Sequence, residues 1–315
     1  MTLQEACARV VADCLAIRRG EAVLILRDHQ ETLGLHAGFV QAVRKAGAVP
    51  VVVALPPAQD AAEVPRAVRA ALEGADAILV CTPWIFPHDL RRQALAAGAR
   101  LLSLCGVTDA MLLRAAEADY PRLGEVTRAV AAAFATAATL TISTPAGTDI
   151  RARIQGRRVV SLDGIATRPG TASGLPAGVV AVTPVPGSAE GRLVLDGSIE
   201  GLGLVEEPAV LTVEAGRVAA ISEGKAARWL EAQWAVEPPG ARVVAELGIG
   251  TNPFARYCGR LVEDERVAGS AHVGLGQNTH LGGEITEGTH RDAAMREPTV
   301  RLDTRVIVRD GRLEL

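Results

Sequence analysis

Aromatic side chains make up only 3% of the 315 residues, no long tract carries one charge sign, and no apolar run approaches the roughly 18 residues of a membrane span. Set against 32 glycines, the scarcity of aromatics points to many tight turns. The mixed charges, with a net charge of -3, argue against nucleic acid or an anionic membrane as the main partner. The opening MTLQEACARV has no basic segment followed by an apolar one, so a soluble, cytoplasmic protein is expected. The 5 cysteines, Cys7, Cys14, Cys81, Cys105 and Cys258, are scattered and form no C-x-x-C pair, which suits a reducing compartment and excludes a disulfide scaffold. What is present is a large apolar fraction, 49%, with 22% charged residues, enough for a substantial core in one or two domains.

The first part of the chain alternates helical and strand signals. Thr2 and Glu5 form a capping box, apolar residues recur at helical spacing through Ile17, and Gly20 offers a stop. The short apolar runs AVLILR (22–27), VPVVVAL (49–55), AILVCT (77–82) and RLLSLC (100–105) suit buried strands. Helical stretches near 30–46, 61–72 and 87–97 separate them, and two more follow near 108–118 and 121–137. This is the pattern of a parallel sheet flanked by helices. No G-x-G-x-x-G follows the first strand, where RDHQETLG stands instead. Asp28, His29 and His36 lie near that strand's end, and a polar loop is the preferred reading over ligand contact.

After about residue 138 the texture becomes strand-rich. DIRARIQGRRVVSL, RLVLDGSI, LTVEAGRVAAI and RVIVRDGRLEL read as strand pairs or strands with glycine turns, Asp310-Gly311 being the strongest hairpin signal. One helix, near 223–235, interrupts them, and LGIGTNP (247–253) reads as a strand running into a turn. The expected organisation is an α/β N-terminal domain with a parallel sheet over 1–138, then an α+β, strand-rich metal-binding domain over 139–315.

Chemistry concentrates in that second part, where His272, His280 and His290 fall in one short window. Glu246 interrupts the apolar strand ARVVAELGIG, and an ionised carboxylate there is costly unless a cation or strong donors meet it. In GSAHVGLG, His272 likewise stands alone among small and apolar residues. EGTHRDAA adds His290 and Asp292, an H-x-D pair. Together they make two nitrogen and two carboxylate ligands, a set suited to zinc, iron, manganese or cobalt and too rich in nitrogen for calcium. The competing readings are an arginine salt bridge for Glu246, a core histidine for His272 and a solvated loop for the pair.

The stretch VVAELGIGTNPFARYCGRLVEDERVAGSAHVGLG, followed by Gly282-Gly283 and THRD, resembles the C-terminal signature of the thermophilic aminopeptidase family of metallopeptidases. GTDIRARIQGRR, LPAGVVAVTP, AEGRLVLDGSI and LTVEAGRV follow that family's order, so the likeness spans roughly residues 139 to 310. The resemblance implies metal-centre roles for Glu246, His272, His290 and Asp292, and places Glu263 and Glu265, in EDE, just before the first histidine. Two features depart from it. Val179 and its neighbours stand where the peptidases carry a glutamate, and Thr279 stands in place of their tyrosine.

Three functions follow as expectations. The first is an aminopeptidase-like hydrolase of an amide or small peptide, using water activated by zinc, cobalt or manganese, with Glu263 or Glu265 as proton shuttle. The second follows from the related 2,5-dihydroxypyridine 5,6-dioxygenases: one non-haem Fe(II) that opens a hydroxylated aromatic ring. Loss of the glutamate near Val179 favours it, while retention of Glu246 disfavours it. The third is a binding protein that keeps the metal without turnover. The resemblance also implies a homodimer.

Overall fold

The computed structural model describes residues 1–28, 34–55, 64–222 and 224–314; His29 lies outside them. The described chain gathers into two compact units, Met1–Gly124 with Leu162–Ala177, and Glu125–Ser161 with Gly178–Leu315. The chain thus passes between units at three points, where the sequence suggested one passage near residue 138. Among the described residues no helix is long and apolar enough to cross a membrane.

The first unit opens with α1 (Leu3–Arg9), whose capping box is formed as read: Thr2 Oγ1 accepts from Glu5 N–H, and the Glu5 carboxylate accepts from Thr2 N–H at 2.7 Å. Next come β1 (Ala22–Asp28), α2 (Leu35–Lys45), β2 (Val49–Leu55), α3 (Arg66–Glu73), β3 (Ala77–Cys81) and α4 (His88–Ala96). Then follow β4 (Arg100–Ser103), α5 (Asp109–Ala115) and the start of α6 (Tyr120–Thr136), which from Glu125 on belongs to the second unit. The strands pair in parallel in the order β2-β1-β3-β4. Ala172–Gly174 adds a fifth parallel strand beside β4, a contribution from far along the chain. Leu24, Leu26, Ile78, Val80 and Leu101 pack there against Val68, Leu72, Leu90 and Ala94 of α3 and α4.

The second unit contains β5 (Thr139–Ser143), β6 (Asp149–Arg153), β7 (Val159–Leu162), β9 (Val179–Val182), β10 (Glu190–Leu195), β11 (Ser198–Ile199) and β12 (Gly203–Leu204), the parallel strand Ala172–Gly174 being β8. It continues through β13 (Ala209–Glu214), β14 (Arg217–Ile221), α7 (Lys225–Trp234), β15 (Val244–Gly250), α8 (Leu261–Asp264) and β16 (Ala271–Leu275). The last strands are β17 (Arg291–Met295), β18 (Thr299–Leu302), β19 (Arg305–Arg309) and β20 (Arg312–Leu313). They form an eight-stranded sheet, β14-β13-β10-β6-β5-β18-β19-β20, and a seven-stranded sheet, β12-β11-β17-β16-β15-β9-β7.

Two segments read as strand pairs divide between these sheets: β6 and β10 lie in the larger one, β7 and β11 in the smaller. The hairpins β13–β14 and β19–β20 form as read. Asp310 and Gly311 take φ of 47° and 75°, the backbone of a two-residue hairpin turn matched to strand twist.

Strict alternation gives the seven-stranded sheet two unlike faces. Val180, Val182, Leu247, Ile249, Ala271, Val273, Ala293 and Met295 enter the hydrophobic core shared with the larger sheet. The residues between them point the other way, and that face carries the chemistry.

Candidate metal centre

Antiparallel register aligns the polar residues of β15, β16 and β17 in two rows. In the first, Glu246 opposes Gly274 and Gly274 opposes Asp292; in the second, Gly248 opposes His272 and His272 opposes Ala294. Each functional side chain therefore has a glycine or alanine beside it, and the glycines are obligatory. A Cβ on Gly248 would lie 2.3 Å from His272 Cε1, and one on Gly274 would lie 2.7 Å from His290 Cε1. The sheet leaves space for the imidazoles by omitting side chains.

Glu246, His272, His290 and Asp292 lie in one chain of contacts. Glu246 Oε1 lies 3.3 Å from His272 Nε2, and Glu246 Oε2 lies 3.1 Å from His290 Nε2. His290 Nε2 is also 3.2 Å from Asp292 Oδ1. His272 is 0% exposed and Glu246 7%, so water does little to solvate this charge. These contacts link the two apolar strands that carry Glu246 and His272 to the H-x-D pair.

His290 is oriented by its other nitrogen, since Nδ1 lies 2.6 Å from the Gln277 carbonyl oxygen. Donation there fixes the tautomer that turns Nε2 toward the carboxylates, as metal-ligating histidines require. Between the H-x-D donors, Arg291 pairs with Glu237 at 3.1 Å and lies over the Trp229 ring, pinning the start of β17.

Burial alone would raise the Glu246 carboxyl, but hydrogen bonds from His272 and His290 outweigh it and hold the group far below the carboxylate range. Burial pushes His290 down, and the Asp292 and Glu246 carboxylates reverse this, raising it well above 6.5. Without an ion, the cluster retains a proton to balance its negative charge.

Buried Asp292 Oδ1 and His272 Nδ1 have no hydrogen-bond partner among the described residues. Asp292 Oδ1 nevertheless faces the His290 nitrogen. An orphaned carboxylate oxygen directed at an imidazole nitrogen fits a shared cation, so the residues present suit the implied metal.

Glu263 and Glu265 have other described contacts. Glu263 accepts the Arg256 N–H at 3.2 Å and the Cys258 Sγ–H at 3.3 Å, and Glu265 pairs with Arg266. With Asp264, which accepts from Cys258 N and Gly259 N, these acids tie the turn ahead of α8. Arg266 is buried, which lowers its guanidinium to about 10, while Asp292 and Glu246 act in the opposite direction. Its positive charge therefore reaches the donor cluster.

Sequence reasoning missed two residues. Glu200 exchanges contacts with Asp292: its N–H donates to Asp292 O at 2.9 Å, and its Oε2 accepts Asp292 N–H at 3.4 Å. Burial and the Asp292 charge raise its carboxyl. Alternation around Ile199 in GSIEG was the available signal. The second is His280, which with Glu246 and His290 offers ligand atoms all within 4.8 Å of one another. Its membership in the histidine window was the only hint.

A parallel-sheet unit, a two-sheet unit and a buried cluster of carboxylates and imidazoles define the class, an enzyme with a candidate metal centre. Within it, the chain belongs to the 2,5-dihydroxypyridine 5,6-dioxygenase family, whose sequence model matches residues 2–315. The chain is 26% identical over 260 residues to a 2,5-dihydroxypyridine 5,6-dioxygenase of Pseudomonas putida, covering 78% of this chain and 73% of that protein. The solved structure of 2,5-dihydroxypyridine dioxygenase from Pseudomonas putida KT2440 shares the fold, with a TM-score of 0.87 and 22% identity over 99% of this chain and 96% of that one. AmpT from Thermus thermophilus is also similar in fold, with a TM-score of 0.70 and 17% identity over 99% of each chain. The names favour the ring-opening alternative over the hydrolase placed first by sequence reasoning.

Proposed function

We propose that this protein is a mononuclear Fe(II) dioxygenase that opens the ring of a dihydroxypyridine-like aromatic. The observation that carries the reading is membership of the dioxygenase family over residues 2–315. The donor face agrees with it. Val179 occupies the position where the peptidases have a glutamate, and its register with Gly250 puts it on the same face as Ala181, Gly248 and Glu246. Both Val179 and Ala181 are buried. An apolar floor there suits a flat ring better than it suits a second cation, which would need another carboxylate.

In this reading Glu246, His272, His290 and Asp292 supply the donors. A bound ferrous ion would provide the site at which ring and dioxygen react. The protein supplies arrangement. The Gln277 carbonyl keeps the His290 Nδ1 proton away from the centre, and Gly248 and Gly274 keep the donor face open. The buried Arg266 guanidinium offsets the negative charge of the cluster and favours a substrate bearing an ionised ring oxygen. Glu200 aligns Asp292 through its backbone.

The test is a paired panel on protein purified without oxygen and loaded with Fe(II) or with zinc. Oxygen uptake with 2,5-dihydroxypyridine in the ferrous protein alone is expected. Amine release from dipeptides by the zinc form, without oxygen uptake by the ferrous form, would transfer the assignment to the peptidase reading.

A further inference from the structure

We infer that Glu237 is a positioning residue for the centre: it holds the residues on both sides of His290 and through them fixes where the H-x-D pair stands. This rests on the metal-dependent reading above and adds to it a residue that lies outside the donor cluster.

His290 needs such support. The β16–β17 register begins at Leu275 and Arg291, so His290 stands just beyond the ladder, where the loop 276–289 enters β17. The Gln277 carbonyl directs its ring through Nδ1, but that bond sets the ring and not the backbone. A working centre needs each donor held to within about 0.5 Å, which requires the backbone as well.

The backbone is held from the other side. Thr289 N–H donates to Glu237 Oε2 at 3.0 Å, and Arg291 Nη2 donates to Glu237 Oε1 at 3.1 Å. The two oxygens of one carboxylate thus hold the two sequence neighbours of His290. Water screens the pair little, since the Glu237 side chain is 13% exposed and that of Arg291 10%. The chain after Glu237 leads into the 3-10 turn Pro239–Arg242, which runs against the residues before His290. A Cβ on Gly240 would lie 2.7 Å from Glu287 Cβ, and one on Gly288 would lie 2.7 Å from Ala241 Cα. Two glycines therefore bring the segments close enough for the carboxylate to reach both donors.

Trp229, on α7, extends the arrangement to Asp292. The Arg291 guanidinium stands over its ring at 5.3 Å, and a Cβ on Gly201 would lie 3.1 Å from its Cζ2. Gly201 follows Glu200, whose N–H donates to Asp292 O at 2.9 Å. One ring thus packs between the guanidinium that Glu237 holds and the turn that aligns Asp292.

The chemistry explains why the residue is an acid. Two donors meet two acceptor atoms. A glutamine of the same shape offers one acceptor oxygen and presents N–H groups to the other donor. Glu237→Gln therefore keeps one of the two contacts and loses the other.

The test titrates Co(II) into the wild type, Glu237→Gln and the double variant Glu237→Leu with Arg291→Met, and follows thermal unfolding of each metal-free form. The double variant removes both charges together, so no buried charge is left unpaired and the fold is kept. Thr289 is exposed, so water takes over its N–H. In the double variant the Kd for Co(II) is expected to rise about tenfold, as when the outer partner of a ligand histidine is lost. The visible absorption of the bound cobalt should shift, because the His290 imidazole meets the ion at a different angle, while the metal-free unfolding temperature stays close to that of the wild type. Glu237→Gln should move affinity and absorption in the same directions by less. Unchanged Co(II) affinity and absorption, or a lower unfolding temperature without a change in affinity, overturns the inference and leaves the metal-dependent reading standing. Weaker Co(II) binding that simply follows a lower metal-free unfolding temperature in both variants marks general damage and overturns it too. Failure of the wild type to bind Co(II) overturns both. No readout here involves dioxygen, so the ring-opening reaction is judged separately.

Discussion

At Gly274 an added methyl carbon would sit 2.7 Å from His290 Cε1, 2.8 Å from Asp292 Oδ1 and 2.9 Å from Glu246 Cβ. Gly274→Ala therefore forces three of the four donors apart while leaving the core face of β16 untouched. Overpacking of this kind costs about 1–3 kcal/mol. Taken up by the centre, that is about 10- to 100-fold in metal affinity, with the far-ultraviolet circular dichroism unchanged. Titration with Co(II) checks it. His290 yields a second expectation, with the opposite sense on either side of metal binding. In the metal-free protein its raised imidazolium contributes stability that is complete below the ordinary value of 6.5 and is lost as pH rises through the raised value. Metal-free protein should therefore lose stability above pH 6.5, while metal affinity climbs, because the ion must displace that proton. Thermal unfolding across pH and calorimetric titration in buffers of different ionisation enthalpy test this; binding without proton release would contradict it. The grouping of Glu246, His272, His290 and Asp292 was legible because each breaks an apolar run or forms an H-x-D pair. Glu200 was not, because its role comes from pairing with Asp292, 92 residues away.

Among the elements, the loop 276–289 is tied down by Asn278. Its side chain donates to Ala245 O at 3.1 Å and accepts from Ile285 N–H at 2.9 Å, joining the loop to β15. Asn278→Ala leaves buried partners unsatisfied, a cost of about 1–3 kcal/mol. Amide hydrogen exchange should rise across residues 279–288 and stay unchanged in β15 and β16; uniform protection would contradict the clamp. The elements also show where local signals stop. Asp310-Gly311 and Asp196-Gly197 are the same dipeptide between apolar segments. The first turns a hairpin with both φ positive, whereas neither residue of the second is among the positive-φ positions. Gly197 is needed for a close approach instead, since a Cβ there would lie 2.5 Å from Ala294 O. It carries the chain from β10 in one sheet to β11 in the other, a choice set by a partner strand far along the sequence.

For the whole molecule, alternating apolar runs and helical stretches were enough to read a parallel unit followed by strand-rich structure. The return of residues 162–177 to the first unit was not legible, because β8 has only three residues and pairs with β4 across a long gap in sequence. Glu246, His272, His290 and Asp292, the proposed donors, all belong to the second unit. Metal should therefore raise the unfolding transition of that unit selectively, by about 2.7 kcal/mol when free metal is 100 times Kd. Calorimetry with and without chelator checks this, and an equal shift of every transition would contradict it. The central claim is that the donor face opens an aromatic ring with dioxygen. Its most direct test is turnover of 2,5-dihydroxypyridine by the ferrous protein under isotopically labelled dioxygen, with mass analysis of the product. Both labelled atoms should appear in the ring-opened product; a product labelled only from solvent water would contradict the account.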